Sequence, residues 1–232
     1  MAVALSNLED ASPLITNVYV DTFNLYYGLL KSTPYRWLDI YKLCQTELPN
    51  NQIRRIRCFS VRVIARPDDP NQRNRQNAYF RALETTPNLT MHLGHFLKSE
   101  VSMRRVTPDA QGNKYALVRK TEEKGSDVNL ASYLLLDAFN REYEVAVVIT
   151  NDSDLAEPIR LVRQELKLRV VVLHPRKVAD STKNTGAGRI SVELQRSSTK
   201  SIVIREASLA ASQFPNTLRD AEGRTITKPV GW

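Results

Sequence analysis

Six residues supply most of the chemistry this sequence can be read for. Asp21 and Asn24 stand in "NVYVDTFN", Lys124 and Asp127 in "EEKGSDVNLA", and Asp152 and Asp154 in "VVITNDSDLAEPI". In the last of these a β-favouring run leads straight to two acids one residue apart. Continued as a strand, the chain would turn Asp152 and Asp154 to one face, where their charges repel unless a cation or a proton lies between them. Local structure accounts for one acid only. Asp154 followed by Glu157 fits a capping box, with Pro158 in the first turn of a helix that starts near Leu155.

Asp127 raises a similar problem. On a helix that follows the Gly125–Ser126 break, the positions sharing its side are Leu130, Ala131, Leu134 and Ala138, so Asp127 heads the apolar stripe. A carboxylate there needs a partner, because an unpaired buried charge is costly. The structural alternative is that Ser126 or Asp127 serves as the helix N-cap.

The elements that must position these residues read as alternating strands and helices. "ITNVYVD", "CFSVRVIA", "LTMHLGHFLK", "VAVVIT" and "LRVVVLHP" have strand character. Between them lie the helical stretches "RWLDIYKLCQTEL", "NQRNRQNAYFRALET", "DVNLASYLLLDAFNRE" and "LAEPIRLVRQELK". This alternation predicts an α/β fold, a mostly parallel sheet flanked by helices. "EVSMRRVTPDAQGNKYALVRKTEEK" predicts a basic hairpin insertion around a Pro, Asp and Gly turn. Beyond His174, "RKVADSTKNTGAGR" reads as a loop, "ISVELQRSS" as a short helix, and "FPNTLRDAEGRTITKPVGW" as an irregular tail. The expected organisation is an N-terminal arm over residues 1–15, a catalytic domain over 16–175, and a C-terminal extension over 176–232 that packs on the domain or trails from it.

In open α/β sheets, sites form outside the C-terminal strand ends. Asp21, Asp127, Asp152 and Asp154 would meet there as hard oxygen ligands, which suits Mg²⁺ or Mn²⁺ and not zinc. Such an ion activates water and stabilises charge on a phosphoryl group, so the chemistry is phosphodiester hydrolysis. Asn24 would orient a ligand or the substrate, and Lys124 would touch the scissile phosphate.

Charge distribution agrees with an anionic substrate. The 232 residues carry a formal net charge of +8, and the stretch from Ile53 to Lys124 holds 15 Lys and Arg against 7 Asp and Glu, leaving the remainder neutral. A concentration of this kind suits RNA or single-stranded nucleic acid, whose phosphates it would track, with Tyr26, Tyr27, Tyr35 and Trp37 near the first motif as base-stacking or core aromatics. Cys44 and Cys58 form neither a disulfide framework nor a zinc pattern. "MAVALSNLEDASPLI" has no basic leader, and no segment reaches bilayer-spanning length, so a cytoplasmic protein without membrane contact is expected. A homodimer stays open.

In order and separation, "VDTFNLYYG", "EEKGSDVNLA" and "ITNDSDLAEPI" resemble the NYN domain family, a branch of the PIN-like nucleases, over roughly residues 16–175. The resemblance implies a Rossmann-like sheet and a ribonuclease metal site at Asp21, Asp127, Asp152 and Asp154, with Asn24 matching the Asn of the first motif. Two departures, Asn151 where many relatives have Gly and Leu155 where many have Phe, leave every carboxylate in place. The tail also resembles that of a bacterial subgroup, some of whose members are assigned as succinoylpyridine hydroxylases. That subgroup implies an alternative, an NADH-dependent hydroxylase (monooxygenase) of 6-hydroxy-3-succinoylpyridine in nicotine degradation, using FAD and NADH. The glycine cluster "NTGAGRI" is a poor dinucleotide fingerprint, lacking its third glycine and its place between strand and helix. A non-catalytic RNA-binding module is the remaining alternative, for which the acids would serve no purpose.

The histidines carry less. His92 and His95 would point to opposite faces of one strand, and His174 would reach the acidic edge but fits a capping or packing role as well. Glu122 and Glu123 read as solvated, with one of them able to approach the metal.

Overall fold

A computed structural model of the chain describes residues 12–31, 33–176 and 190–232. Six parallel strands form the main sheet: β1 (Leu14–Asp21), β2 (Asn51–Ser60), β3 (Leu89–Leu93), β6 (Val145–Ile149), β7 (Arg169–His174) and β8 (Lys200–Val203). The spatial order is β3-β2-β1-β6-β7-β8. The chain winds outward from β1 in one direction and later in the other, so the switch point lies between β1 and β6. This is the crevice where open α/β sheets bind ligands.

β6 reads "VAVVI" and is buried throughout, as a strand covered on both faces must be. Alternation along β1 divides its side chains between two cores: Val18 and Val20 face one layer, Tyr19 the other. The first layer holds α1 (Thr22–Leu25) with the π-turn that continues it (Tyr26–Leu30), α2 (Ile40–Glu47) and α3 (Gln72–Glu84). The second holds α4 (Ser126–Phe139), α5 (Ala156–Gln164) and α6 (Val192–Ser197). No helix of the described residues is long and apolar enough to cross a membrane.

Four expectations change. "LTMHLGHFLK" is two elements, because the chain leaves the sheet at Gly94. A Cβ there would lie 2.5 Å from the Lys124 carbonyl oxygen. β3 stays in the sheet, and β4 (His95–Arg104) pairs antiparallel with β5 (Tyr115–Lys124) as the hairpin. The hairpin therefore starts earlier than its turn signals suggested. His92 and His95 accordingly belong to different strands. The tail is ordered as well: α7 (Glu206–Ala211) packs on the first core, and β9 (Thr217–Arg219) pairs with β10 (Thr225–Thr227). Its anchor is the buried Trp37, whose indole N–H donates to the Pro215 carbonyl at 2.9 Å. The "NTGAGRI" cluster lies outside the described residues except for its last position, Ile190.

Candidate metal centre

Asp21 is the last residue of β1 and turns the chain into α1. Its Oδ1 accepts the Asn24 backbone N–H at 2.9 Å, and its Oδ2 accepts the Thr150 hydroxyl at 3.1 Å. Asp152 caps the 3₁₀ turn Ser153–Leu155, accepting the Asp154 N–H at 3.0 Å while its own N–H donates to Thr150 Oγ1 at 3.1 Å. Thr150, fully buried, thus ties the two acids to the end of β6. Asp127 comes from the first turn of α4. Carboxylate oxygens of Asp21, Asp127 and Asp152 lie within 4.8 Å of one another.

Burial, then the neighbouring Asp127 and Asp152 charges, push the Asp21 carboxyl up to about 6, against its backbone and Thr150 hydrogen bonds. Asp127 is also raised, by burial first and then by Asp152, Glu123 and Asp154. No Lys or Arg of the described residues forms an ion pair with any of the three. Three convergent hard oxygen donors, mutually repelling and without an ion-pair partner among the described residues, fit a divalent cation.

The remaining expected residues are placed differently. Asp154 lies outside the convergent group, exposed in the turn, and acts on the site through its charge on Asp127. The strand ends at Ile149, so the pair does not share a strand face, and Asp152 rather than Asp154 is the cap. Asp127 heads the buried stripe of Leu130, Leu134 and Ala138 as its spacing predicts, but its own side chain is exposed at the start of the helix. Neither Ser126 nor Asp127 caps that helix. Gly125 occupies the cap position at φ 102°, a left-handed conformation that favours glycine, and Glu123 Oε1 accepts the Ser126 N–H (3.1 Å) and hydroxyl (2.7 Å). Asn24 spends its Oδ1 on the Asn151 N–H at 2.9 Å, joining the β1 and β6 loops. Lys124 pairs with Glu122 at 3.6 Å and makes no ion pair with the carboxylates.

Sequence reasoning missed a lock behind Asp152. The Ser191 N–H donates to Asn151 Oδ1 at 3.0 Å, so this atom is an acceptor, and His174 Nδ1, also 3.0 Å away, must carry a proton. His174 Nε2 then accepts from the Ser201 hydroxyl at 3.2 Å. Burial, then Arg176, lowers the imidazole to about 4, so it is neutral at physiological pH. The signal available was a histidine ending an apolar strand. Its partners come from segments whose proximity only the fold supplies.

Next to the carboxylates, Phe23 and Tyr27 stack with centroids 5.8 Å apart, and Phe96 of the hairpin meets Phe23 edge-on at 6.5 Å. Register places Phe96, Lys98, Arg104, Arg119 and Tyr115 on one face of the hairpin. That face continues outward from the acidic edge.

Residues 15–193 match the NYN domain family. The 6-hydroxy-3-succinoylpyridine 3-monooxygenase HspA of Pseudomonas putida (strain DSM 28022 / S16) is 30% identical over 250 residues, covering 96% of this chain and 77% of that protein. Among solved structures, a protein of unknown function, VPA0982 of Vibrio parahaemolyticus RIMD 2210633, aligns with a TM-score of 0.49 and 14% identity, covering 89% of this chain and 100% of that one.

Proposed function

Because this chain belongs to the NYN domain family, we propose that its acidic edge is the centre of a divalent-metal-dependent ribonuclease. One observation carries the reading: three carboxylates from β1, α4 and the β6 loop converge within 4.8 Å at the switch point of the sheet. Asp21, Asp127 and Asp152 would hold Mg²⁺ or Mn²⁺, which when bound supplies Lewis-acid stabilisation of phosphoryl charge and a more acidic water.

The chain's own groups do the rest. Asp21 and Asp152 are fixed by Thr150 and by backbone amides, so they meet a ligand without reorganising. Asp127, the exposed member, takes one proton from the attacking water. The water oxygen bonds to phosphorus, the bond from phosphorus to the leaving sugar oxygen breaks, and that oxygen takes a proton from solvent. Lys98, Arg104 and Arg119 line the hairpin face along which a single strand would lie, and Tyr115 and Phe96 offer rings for its bases.

The test is cleavage of labelled single-stranded RNA in Mg²⁺ or Mn²⁺, with EDTA and the Asp127→Asn and Asp152→Asn variants as controls. Cutting that disappears in all three supports the assignment. Cutting that survives both substitutions overturns it.

The similarity to HspA favours a second reading, a hydroxylase of a succinoylpyridine using FAD and NADH. Thr22, Phe23, Tyr26, Tyr27 and Trp232 line a pocket where the chain leaves Asp21, which is where such a ring would be sought. An absorbance scan for bound flavin, with NADH consumption on adding the pyridine substrate, separates this reading from hydrolysis.

A further inference from the structure

We propose that the free edge of β5 pairs antiparallel with the same strand of a second copy of this chain, about a two-fold axis through Thr121. Among the described residues β4 and β5 form a sheet of two strands, so β5 has an open edge. A ribbon of two strands is marginal in water by itself. Leu97, Met103, Tyr115 and Leu117 on it are exposed, so packing within the chain does little to hold it. Unpaired N–H and C=O groups along such an edge are a template for another strand.

The ladder geometry selects which residues face outward. One step past the last register pair, the Arg105 N–H donates to the Lys114 carbonyl at 2.9 Å, and the register from there back to Lys124 is unbroken. Backbone groups alternate along an antiparallel ladder. Lys114 and the even-numbered residues of β5 therefore turn theirs to β4, while Arg119, Thr121 and Glu123 turn theirs outward. With the axis at Thr121, Thr121 lies opposite Thr121 and Arg119 opposite Glu123, each pair exchanging N–H···O=C bonds in both directions. The new ladder runs from Val118 to Lys124 and stops where α4 begins.

Charge selects the register. β5 carries Arg119, Lys120, Thr121, Glu122 and Glu123 in succession, two cations and two anions mirrored about the threonine. Paired about Thr121, Arg119 meets Glu123 of the second copy, Lys120 meets its Glu122, and the axis repeats both contacts. Moving the axis by one residue sets Lys120 against Lys120 or Glu122 against Glu122, which repel. Edge charges usually block pairing, but a run that changes sign at its midpoint blocks the neighbouring registers and admits one. The side chains are accessible. Arg119 is 75% exposed and pairs only with the exposed Glu100 at 3.4 Å, and the bonds from Glu123 to Ser126 use Oε1 alone. Lys120 and Glu122 share one face and pair within the strand at 2.5 Å, in contact with solvent. The edge of β4 offers a poorer match, since about Ser99 only Lys98 and Glu100 are reciprocal.

Sedimentation of the full chain over a range of concentrations tests the pairing. The native chain should form a dimer that weakens as salt is added. Lys120→Glu and Glu122→Lys each place like charges across the axis, and each should raise the dissociation constant about tenfold or more. Mixed in equal amounts, the two variants should recover a dimer, because the reversed charges then oppose one another, and that recovery also shows that both are folded. A native chain that stays monomeric overturns the proposal, as does a dimer that persists in both variants or a mixture of the two that stays monomeric. A dimer lost in Glu100→Lys and kept in Lys120→Glu would put the pairing on β4 and overturn it equally.

Discussion

The Arg57 guanidinium forks onto Asp137, with Nε 2.9 Å from Oδ2 and Nη2 3.0 Å from Oδ1, and the Tyr19 hydroxyl donates to the same Oδ2 at 2.7 Å. Tyr19 stands two residues before Asp21 on β1, Arg57 is on β2, and Asp137 lies on the helix that begins beside Asp127. The fork therefore pins α4 against the sheet and fixes where Asp127 meets Asp21.

Breaking the fork should cost stability and cation affinity together. Side-chain exposures of 12% for Arg57 and 2% for Asp137 make this a buried pair, so Asp137→Ala should lose about 3–5 kcal/mol in chemical denaturation. The double variant Arg57→Met with Asp137→Leu should recover much of that loss, since apolar replacement removes both charges at once. Mn²⁺ affinity should stay lowered in the double variant if the fork sets the helix position.

Asp21 makes a pH-dependent prediction. Its folded carboxyl is raised from 3.8 to about 6, so it contributes stability that is present below the unfolded value and lost as pH rises through about 6. Above that pH the metal-free protein bears a penalty of about 3 kcal/mol, since each tenfold change in proton affinity is worth about 1.4 kcal/mol. Asp21→Asn should therefore raise the melting temperature in EDTA at pH 7.5 and not at pH 4. Mn²⁺ should stabilise the native chain and fail to stabilise the variant.

His174 acts in the opposite direction. Its folded value is depressed from 6.5 to about 4, so its contribution is present above the unfolded value and lost as pH falls through about 4. Acid unfolding followed between pH 7 and 4 should be steeper in the native chain than in His174→Gln. The variant should also loosen the Asn151 loop, read as faster amide exchange at Asp152.

Gly125 is required by its backbone. At φ 102° a side chain is strained, and Gly125→Ala should cost about 1–2 kcal/mol. Because the next two residues are Ser126 and Asp127, cation affinity should fall as well. Unchanged stability and affinity in this variant would show that the cap tolerates another conformation.

Much of the architecture was legible in the sequence, because burial on both faces leaves a mark that needs no partner to be seen. "VAVVI" and "LRVVVL" have few other uses in a chain with this spacing, and acids placed just after "NVYV" and "VVIT" fall at C-terminal strand ends whatever the order of the strands. The hairpin was legible from its turn residues, though not its start. Gly94 marks that start through a close approach to the Lys124 carbonyl, which is distant in sequence.

The sequence by itself determined which acids stand at one edge of a parallel sheet. The tertiary structure decided which of them converge. Asp21, Asp127 and Asp152 meet because β1 and β6 are neighbours and the Arg57–Asp137 fork seats α4, while Asp154 is turned outward by a 3₁₀ turn and Lys124 is drawn to Glu122. Carboxylate convergence depends on distances of a few ångströms across segments far apart in the chain. Residue type and local spacing set the candidates, and long-range packing sets those distances.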